Sequence, residues 1–275
     1  MSLTIITTNV SADFLSPTGV PQWDERKHLY AQAVRDAQPT LIGLQEATLN
    51  QTTFWQAQLP EYTALTVSAA DPTPELAATW AAKYAKFGLP TVPSPYEIVL
   101  FYETAVCELI ETGFWWLSPT PERPSIGWGN AAPRVVLWAH LHHRPTGQEI
   151  VVFNTHIDHR CPDEMVALCR ARFAPFVERN ISLIFMGDLN FNPTTANYAL
   201  LKQDGWLDTH DVVRADEEST FLYDLANIPG GRIDHILYRG DALHPQTWSR
   251  LLSPDPTRRL SDHDPVCVRF HLGSS

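Results

Sequence analysis

The stretch MGDLNFNP, Met186–Pro193, follows the short apolar run Leu183–Met186 and carries polar side chains at alternating positions. The apolar run predicts a buried strand, and Asp188 and Asn190 then lie on the turn that ends at the proline. Residues two apart leave a strand on the same face, so both side chains can point into one pocket. Asp, Asn and Pro also favour turns for local reasons, so this motif alone leaves a simple surface turn open.

Two further clusters pair carboxylates with imidazoles beside apolar runs. LSDHDPV, Leu260–Val266, places aspartates on both sides of His263 immediately before an apolar strand. GRIDHILY places Asp234 inside an otherwise apolar strand, where an unpaired carboxylate is expensive to bury. A neighbouring carboxylate holds the tautomer of a histidine and raises its basicity. We therefore predict that Asp234 and His263 are partners.

Two more predicted strands end in polar residues. NTHIDHR contains His156 and Asp158 at the end of an apolar run, and LIGLQE delivers Glu46 after Leu41–Leu44. Mg²⁺ prefers hard oxygen ligands, and a phosphate needs hydrogen-bond donors around it. Five strand ends that carry Asp, Glu, Asn or His therefore indicate metal-assisted hydrolysis of a phosphate ester.

The remaining sequence alternates short apolar runs with helix-like segments, which is typical of a mixed α/β domain. We expect one domain over residues 1–275, with a long turn-rich loop over Pro119–Pro133. Helices are predicted at Trp23–Ala37, Pro74–Phe87 and Asp163–Asn180. Strands are predicted at Leu3–Thr8, Leu41–Leu44, Ile98–Tyr102, Phe114–Leu117, Val135–His142, Ile150–Thr155, Leu183–Met186, Ile233–Tyr238 and Val266–Phe270.

Composition limits the partners and the location. The formal net charge is −11, so no global basic field attracts a polyanion, which lowers the expectation of a nucleic-acid substrate. MSLTIITTNV lacks the basic and apolar regions of a secretion signal, and no apolar run reaches the length of a membrane span. We expect a cytoplasmic monomer without a membrane partner. The four cysteines form no zinc-binding pattern.

The ordered blocks TNV, LQE, NTH, GDLN, RIDHI and SDHDPV run from Asn9 to Val266. Together they resemble the endonuclease/exonuclease/phosphatase superfamily of deoxyribonuclease-like, metal-dependent phosphoesterases. The stretch FWWLSPTPERPSIGWGNAAPRVVLW resembles a bacterial, deadenylase-like branch of it. The resemblance implies a four-layer α/β sandwich, in which two mixed β-sheets pack face to face with helices on the outside.

The resemblance also implies residue roles. Glu46 would be the principal ligand of Mg²⁺ or Mn²⁺, with Asn9 and Asp262 in or beside the same coordination sphere. Asp188 and Asn190 would position the attacking water and the phosphate oxygens. Asp234 would orient His263, which would act as general base or as donor to the phosphate. His156 would contact the phosphate and protonate the leaving oxygen.

Four residues are expected on the substrate side of the site. The resemblance suggests Arg134 as a phosphate or substrate contact, although an ordinary strand-edge arginine is an equal alternative. Trp128, in the Gly-rich loop, is a candidate for stacking on a substrate ring, and a loop anchor is the alternative. Glu97 is a candidate partner of His156, and Asp158 is grouped with these three.

These features favour a hydrolase of small or medium phosphodiesters or phosphomonoesters. A nuclease acting on DNA or RNA is the alternative, weakened by the scarcity of basic clusters beyond Arg258–Arg259 and Arg170–Arg172. An inactive binding module with the same fold is a third possibility. It would be expected to have lost Glu46, Asp188 or His263, and the sequence retains all three.

Overall fold

The computed structural model describes residues 1–68, 96–130, 132–160, 162–216, 219–223 and 231–273, and in addition Ala78, Ala81, Ala82 and Ala85. The predicted helix Pro74–Phe87 lies outside the described residues apart from those four alanines, which are helical and exposed. Among the described residues, no helix combines the length and apolar character needed to cross a bilayer.

Two six-stranded sheets form the centre of the fold. The first sheet has the order β11-β12-β1-β2-β4-β3, and the second has the order β5-β6-β7-β8-β10-β9. The strands of the first sheet are β1 (Ser2–Asn9), β2 (Leu41–Ala47), β3 (Tyr62–Ser68), β4 (Glu97–Glu103), β11 (Leu243–Arg250) and β12 (Val266–Leu272). Those of the second are β5 (Cys107–Trp116), β6 (Val135–His143), β7 (Gln148–His156), β8 (Ser182–Asp188), β9 (Leu207–Asp208) and β10 (Asp234–Arg239).

Both sheets are mixed, because each contains one parallel pair, β1 with β2 and β7 with β8, among antiparallel neighbours. The described helices are α1 (Trp23–Asp36), α2 (Leu49–Gln58), α3 (Pro162–Glu178), α4 (Ala196–Leu201) and α5 (Thr209–Val213), with a 3₁₀ turn at Gln203–Gly205.

The buried apolar residues divide into layers. One cluster fills the space between the sheets and includes Ile5 from the first sheet and Val152 from the second. A second cluster packs Phe173 of α3 on the outer face of the second sheet, and a third packs Tyr30 of α1 and Trp55 of α2 on the first sheet. The fold is therefore the α/β sandwich predicted from the sequence, with helices outside two facing sheets.

The predictions did not include strands β3, β9 and β11 or helices α2, α4 and α5. Strands β3 and β11 lie next to β4 and β12, and helix α2 begins directly after β2. The start of α2 had a local signal, because Thr48 and Gln51 form a reciprocal capping box there. Edge strands such as β3 and β11 are half exposed and broken by polar residues, which weakens their hydrophobic pattern.

One buried amide joins the two sheets. Asn154 on β7 donates to the carbonyls of Leu44 (3.1 Å) on β2 and Val99 (2.9 Å) on β4, and its own oxygen accepts from Gln45 Nε2 (2.7 Å). The close approach needs a glycine opposite, since a Cβ on Gly43 would lie 2.9 Å from Asn154 Cγ. The register of β2 against β4 shifts just beyond Leu44, so the amide holds the strand where its pairing is irregular.

We expect Asn154→Leu to lower the free energy of unfolding by about 2–4 kcal/mol, because each buried carbonyl left without a donor costs about 1–3 kcal/mol. Urea unfolding measures the change. The control is Asn50→Leu, at an exposed asparagine on α2, where a change below about 0.5 kcal/mol is expected. Equal losses in the two variants would contradict a bridging role for Asn154.

Candidate active site

The polar clusters of the sequence meet at one end of the sandwich. Strands β1, β2, β7 and β8 end there, and the antiparallel strands β10 and β12 begin there. On the second sheet, His156 lies opposite Asp188, and Asp188 lies opposite Asp234. On the first sheet, Asn9 and Glu46 stand at the ends of neighbouring strands. The structure thus brings together residues from all five predicted strand ends.

Gly187 explains why a glycine precedes the aspartate in MGDLN. Its φ is 146°, and a Cβ at this position would lie 2.0 Å from the carbonyl oxygen of Thr155 on the neighbouring strand. Any larger residue would therefore push β7 and β8 apart. The glycine lets Asp188 lie directly beside His156, with Asp188 Oδ2 and His156 Nε2 separated by 3.3 Å.

The turn after β8 is held by its own side chains. The amide of Asn190, a residue with φ 55°, donates to Asp188 Oδ1 at 3.0 Å. Asn190 Nδ2 donates to the carbonyl of Ile157 (2.8 Å) and lies 2.9 Å from His156 Nε2. Asp188 Oδ2 is 3.3 Å from the same ring nitrogen, so His156 Nε2 can accept from Asn190 or, when protonated, donate to Asp188. The residues of the GDLN and NTH motifs therefore form one network.

His263 and Asp234 make the contact predicted from the sequence, with 2.9 Å between His263 Nδ1 and Asp234 Oδ2. The other ring nitrogen faces Asp188, 3.7 Å from its Oδ2. Thr220 fixes the start of the strand, because its hydroxyl oxygen accepts from the amides of Ile233 (3.0 Å) and Asp234 (3.1 Å). The aspartate is therefore anchored through its backbone as well as through its side chain.

The residues predicted to bind the metal lie on the first sheet. Asn9 donates to Asp188 Oδ2 at 3.0 Å, while its side-chain oxygen accepts from the amide of Ser11. Ser261 donates to the carbonyl of Asn9 (2.8 Å) and lies 3.1 Å from Asp262 Oδ1. This places the loop before β12 directly against the end of β1.

Glu46 reaches the site through an irregular backbone. It has φ 59°, in the left-handed region, and lies within the register shift between Leu44 and Ala47. Its Oε1 is 3.8 Å from His156 Nδ1, so the carboxylate of the first sheet faces the histidine of the second. A left-handed conformation at a non-glycine residue costs about 1 kcal/mol or more, and such strain is concentrated at functional sites.

Burial and charge shift two pKa values in the site. Burial raises the pKa of Asp188 to about 7, against the opposing effect of His263. Burial alone would lower the pKa of His263, but the carboxylates of Asp234 and Asp188 outweigh it and raise the pKa to about 10. At neutral pH and without a metal, His263 is therefore a cation held between two carboxyl groups.

The carboxylate oxygens of the site suit a hard divalent cation, and Asp188 and Asp234 add two such groups to the ligands expected from the sequence. Ligand atoms of Asp188, Asp234 and His263 lie within 4.8 Å of one another. Among the described residues, Asp234 Oδ1 is buried without a hydrogen-bond partner, and the polar contact of the Glu46 carboxylate is the one with His156. Carboxylate oxygens without donors in a buried, acidic environment are suited to Mg²⁺ or Mn²⁺.

The four residues expected on the substrate side differ in their placement. Arg134 is nine-tenths buried, and its Nε lies 3.5 Å from Oδ2 of the fully buried Asp158. Trp128, with φ 55°, packs partly buried against the cluster between the second sheet and α3. These contacts are compatible with a substrate role but do not require one.

The expected pairing of Glu97 with His156 stays a prediction, and the described contact of Glu97 is with a residue of α2. Glu97 is opposite Ala47 in the register of β2 and β4, and its Oε2 accepts a hydrogen bond from Thr52 on α2 at 2.5 Å. Glu46 faces His156, because the register shift and its positive φ turn its side chain into the site. The sequence contains no signal for a shift of one residue.

A buried polar network supports the GDLNF turn from the opposite side and was missed in the sequence. His235 Nε2 lies 3.1 Å from the carbonyl of Phe191, and its Nδ1 lies 3.1 Å from Asp208 Oδ2. Arg232 donates to the same carboxylate at 2.5 Å. The sequence signal was the alternation of side chains along a strand: Asp234 faces the site, so His235 must face the helices.

The model of the Endonuclease/Exonuclease/phosphatase family matches residues 6–263. The chain belongs to this family. Members of the endonuclease/exonuclease/phosphatase family are hydrolases of phosphoester bonds and generally depend on a divalent metal. No curated protein matches the chain.

Solved structures of the family share the whole fold. A family protein from Bacteroides thetaiotaomicron is 25% identical, covering 98% of this chain and 97% of its own, with a TM-score of 0.78. The mannosyl-6-phosphatase Bt3783 of the same species is 26% identical, covering 98% and 99%, with a TM-score of 0.79. D. rerio TDP2 complexed with single-strand DNA product is 16% identical, covering 98% and 99%, with a TM-score of 0.67.

We expect Asp234→Asn and His263→Ala to be non-additive in kcat. Each single change should cost on the order of 10²-fold or more, as is typical of general acid–base groups. An aspartate that acts only by orienting a histidine has nothing to contribute once the imidazole is gone, so the double variant should match the worse single one. Losses that multiply in the double variant would show that the two residues act separately.

Asp188→Asn should stabilise the metal-free protein at pH 8 while removing activity. The folded pKa of about 7 exceeds the ordinary 3.8, so the stabilising contribution is complete below pH 3.8 and is lost as the pH rises through 7. This difference corresponds to at most about 4 kcal/mol.

Urea unfolding in chelator at pH 4 and pH 8 measures the effect, with Asp24→Asn, at an exposed carboxylate on α1, as control. The variant at Asp188 should have a smaller loss of stability between the two pH values than the wild type. A loss equal to that of the wild type would contradict a buried, proton-retaining carboxyl at this position.

Proposed function

We propose that this chain is a divalent-metal-dependent hydrolase of phosphate esters, with small or medium substrates and water as the nucleophile. The observation that supports it most is the convergence of two complementary sets of side chains at one end of the sandwich. Glu46 and Asn9 lie on the first sheet, His156 and Asp188 lie on the second, and the buried Asp234–His263 pair joins the second sheet to the loop before β12.

Glu46 would be the principal ligand of Mg²⁺ or Mn²⁺, with Asn9 and Asp262 in or beside the same coordination sphere. A bound divalent cation supplies charge neutralisation on the phosphate oxygens and polarises the phosphorus centre. The side-chain oxygen of Asn9 is oriented for this role by the amide of Ser11, and the amide nitrogen is occupied by Asp188. The ligands are therefore prepared in the metal-free chain.

The remaining residues would handle the phosphate and the protons. His263, charged at neutral pH by its two carboxyl neighbours, is better suited to donate to a phosphate oxygen than to act as general base. Asp188, whose pKa burial raises in the metal-free chain, would orient the water and accept its proton. Asn190 and His156 would contact the phosphate oxygens, and His156 would protonate the leaving oxygen.

Arg134 would complete the substrate side. Its guanidinium is nine-tenths buried and forms an ion pair with the fully buried Asp158, which restricts its position just before the start of β6. A charged group fixed in this way can bind an anionic substrate without a large loss of side-chain entropy. Trp128 remains a candidate for stacking on an organic ring of the substrate.

Two observations favour a small substrate. The similar mannosyl-6-phosphatase acts on a phosphorylated sugar by its name, which makes small phosphomonoesters the first candidates here. The arginines that could have contacted the phosphates of a nucleic acid are engaged in ion pairs, which lowers the positive charge they offer to a phosphate backbone. The pairs are Arg170–Asp204, Arg172–Glu122, Arg258–Asp255 and Arg259–Asp264.

A nuclease acting on DNA or RNA is the second candidate. It is favoured by the shared fold of TDP2, whose structure holds single-strand DNA product. Assays of sugar phosphates, phosphodiesters, dinucleotides and oligonucleotides with Mg²⁺ and Mn²⁺ would separate the two. An inactive module would hydrolyse none of them. Membership of the deadenylase-like branch, a cytoplasmic location and a monomeric state stay predictions.

We expect a chelator to abolish hydrolysis and Mg²⁺ or Mn²⁺ to restore it. Glu46→Gln should mainly weaken metal affinity, because a neutral amide is a poorer ligand than a carboxylate, so a higher metal concentration should rescue it in part. Glu111→Gln, at an exposed glutamate on β5, is the control and should need no extra metal. Full turnover in excess chelator would refute the metal mechanism, and a Glu46→Gln defect indifferent to metal would remove Glu46 from the coordination sphere.

Activity on the best small substrate should depend weakly on ionic strength. A groove with 6–10 phosphate contacts loses about 10³–10⁵ in affinity between 50 and 200 mM salt. Measuring kcat/KM across about this range, with saturating metal, compares the small substrate with an oligonucleotide. An oligonucleotide that is both the better substrate and steeply salt-dependent would replace the small-substrate proposal with the nuclease.

A further inference from the structure

Arg26 is a buried cation without a carboxylate partner among the described residues. It lies on α1 and is 1% exposed, and its guanidinium makes no ion pair there. Instead, Nε donates to the carbonyl of Pro21 (3.1 Å), Nη1 to that of Leu260 (2.5 Å) and Nη2 to that of Ser11 (2.8 Å). One side chain thus ties together three separate segments of the chain.

Two of these segments carry predicted metal ligands. The amide of Ser11 orients the side-chain oxygen of Asn9 (3.0 Å), and Leu260 is two residues before Asp262. Ser261, between them, donates to the carbonyl of Asn9 at 2.8 Å. Arg26 therefore fixes the same two loops that Ser261 joins directly.

Stability alone does not explain an arginine here. Removing a full charge from water is expensive, and replacing a buried charge by a well-packed apolar residue is often neutral or stabilising. The third bond, to Pro21, fits a local role at the start of α1, but the other two leave the helix for the loops of the site. The rigid fork of a guanidinium can hold several carbonyls in fixed directions, which a lysine cannot do.

We propose that Arg26 is a positioning residue for the metal site, which holds the loops of Asn9 and Asp262 at a fixed separation and thereby sets the affinity for the divalent cation. This inference rests on the proposed function, because it presumes that Asn9 and Asp262 bind the metal. Arg26 itself contacts neither substrate nor metal ligands with its guanidinium, so it acts through the backbone of the two loops.

The sign of the effect separates positioning from simple electrostatics. A positive charge near the site repels a cation, so an arginine that acted only through its charge would weaken metal binding, and its removal would tighten it. A positioning residue instead strengthens metal binding, and its removal lets the ligands move apart and weakens that binding. Arg26→Lys keeps the charge and loses the fork, whereas Arg26→Met loses both.

The experiment is calorimetric titration of Mn²⁺ into the metal-free protein. Arg26→Lys and Arg26→Met should both raise the Kd by about 10- to 100-fold, the range seen when groups that orient metal ligands are removed. Arg35→Met, at an exposed arginine on the same helix, should leave the Kd unchanged. Ser261→Ala, which removes the other link between the loops, should also raise the Kd and serves as the test if neither Arg26 variant folds.

Amide hydrogen exchange of the metal-free proteins gives a readout without metal or substrate. In Arg26→Lys, exchange should accelerate in residues 9–12 and 260–263 and stay unchanged in the core strands. An unchanged or lower Kd in the folded Arg26 variants, or in Ser261→Ala if those do not fold, overturns the inference while leaving the proposed function intact. A wild-type chain that binds neither Mn²⁺ nor Mg²⁺ overturns both.

Discussion

The contact of Asn154 with two carbonyls of the opposite sheet is the constraint on which the rest of the site depends. A buried amide is stabilising only when its donors and acceptor are all satisfied, and here the partners lie on β2 and β4. They are available because the pairing of those strands is irregular beyond Leu44. The same irregularity gives Glu46 its left-handed backbone and turns its carboxylate toward His156. Sheet packing and ligand placement therefore have one physical origin.

The site buries two carboxyl groups within a small volume. Asp188 and Asp234 are fully buried next to each other, and the positive charge of His263 offsets them. Such an arrangement lowers stability in the metal-free chain and is tolerated because the surrounding network is satisfied by backbone groups, as at Thr220 and Asn190. A loss of stability is expected where function requires buried charged groups.

Much of this architecture was readable in the sequence, and the reasons are local. Strand ends rich in Asp, Asn and His identified the site, because apolar runs such as Leu183–Met186 report buried strands directly. The Asp234–His263 contact followed from the expense of burying a carboxylate alone. The approach of Glu46 to His156 was not predicted, because a register shift of one residue changes which side chain enters the site. The bridge through Asn154 and the buried charge of Arg26 depend on contacts far apart in the chain, which no local pattern encodes.

The order of the strands has a consequence for how the protein loses activity. The chain forms β1–β4 of the first sheet, then the whole second sheet, and returns to the first with β11 and β12. The first strand, β1, therefore pairs with the last, β12. Glu46 and Asn9 therefore belong to one sheet, and His156, Asp188 and Asp234 to the other, while Asp262 lies in the loop before β12. The site exists only while the two sheets are in contact. A small sliding of one sheet on the other, without exposure of the core, would therefore move Glu46 and Asn9 away from His156 and Asp188 and reduce hydrolysis.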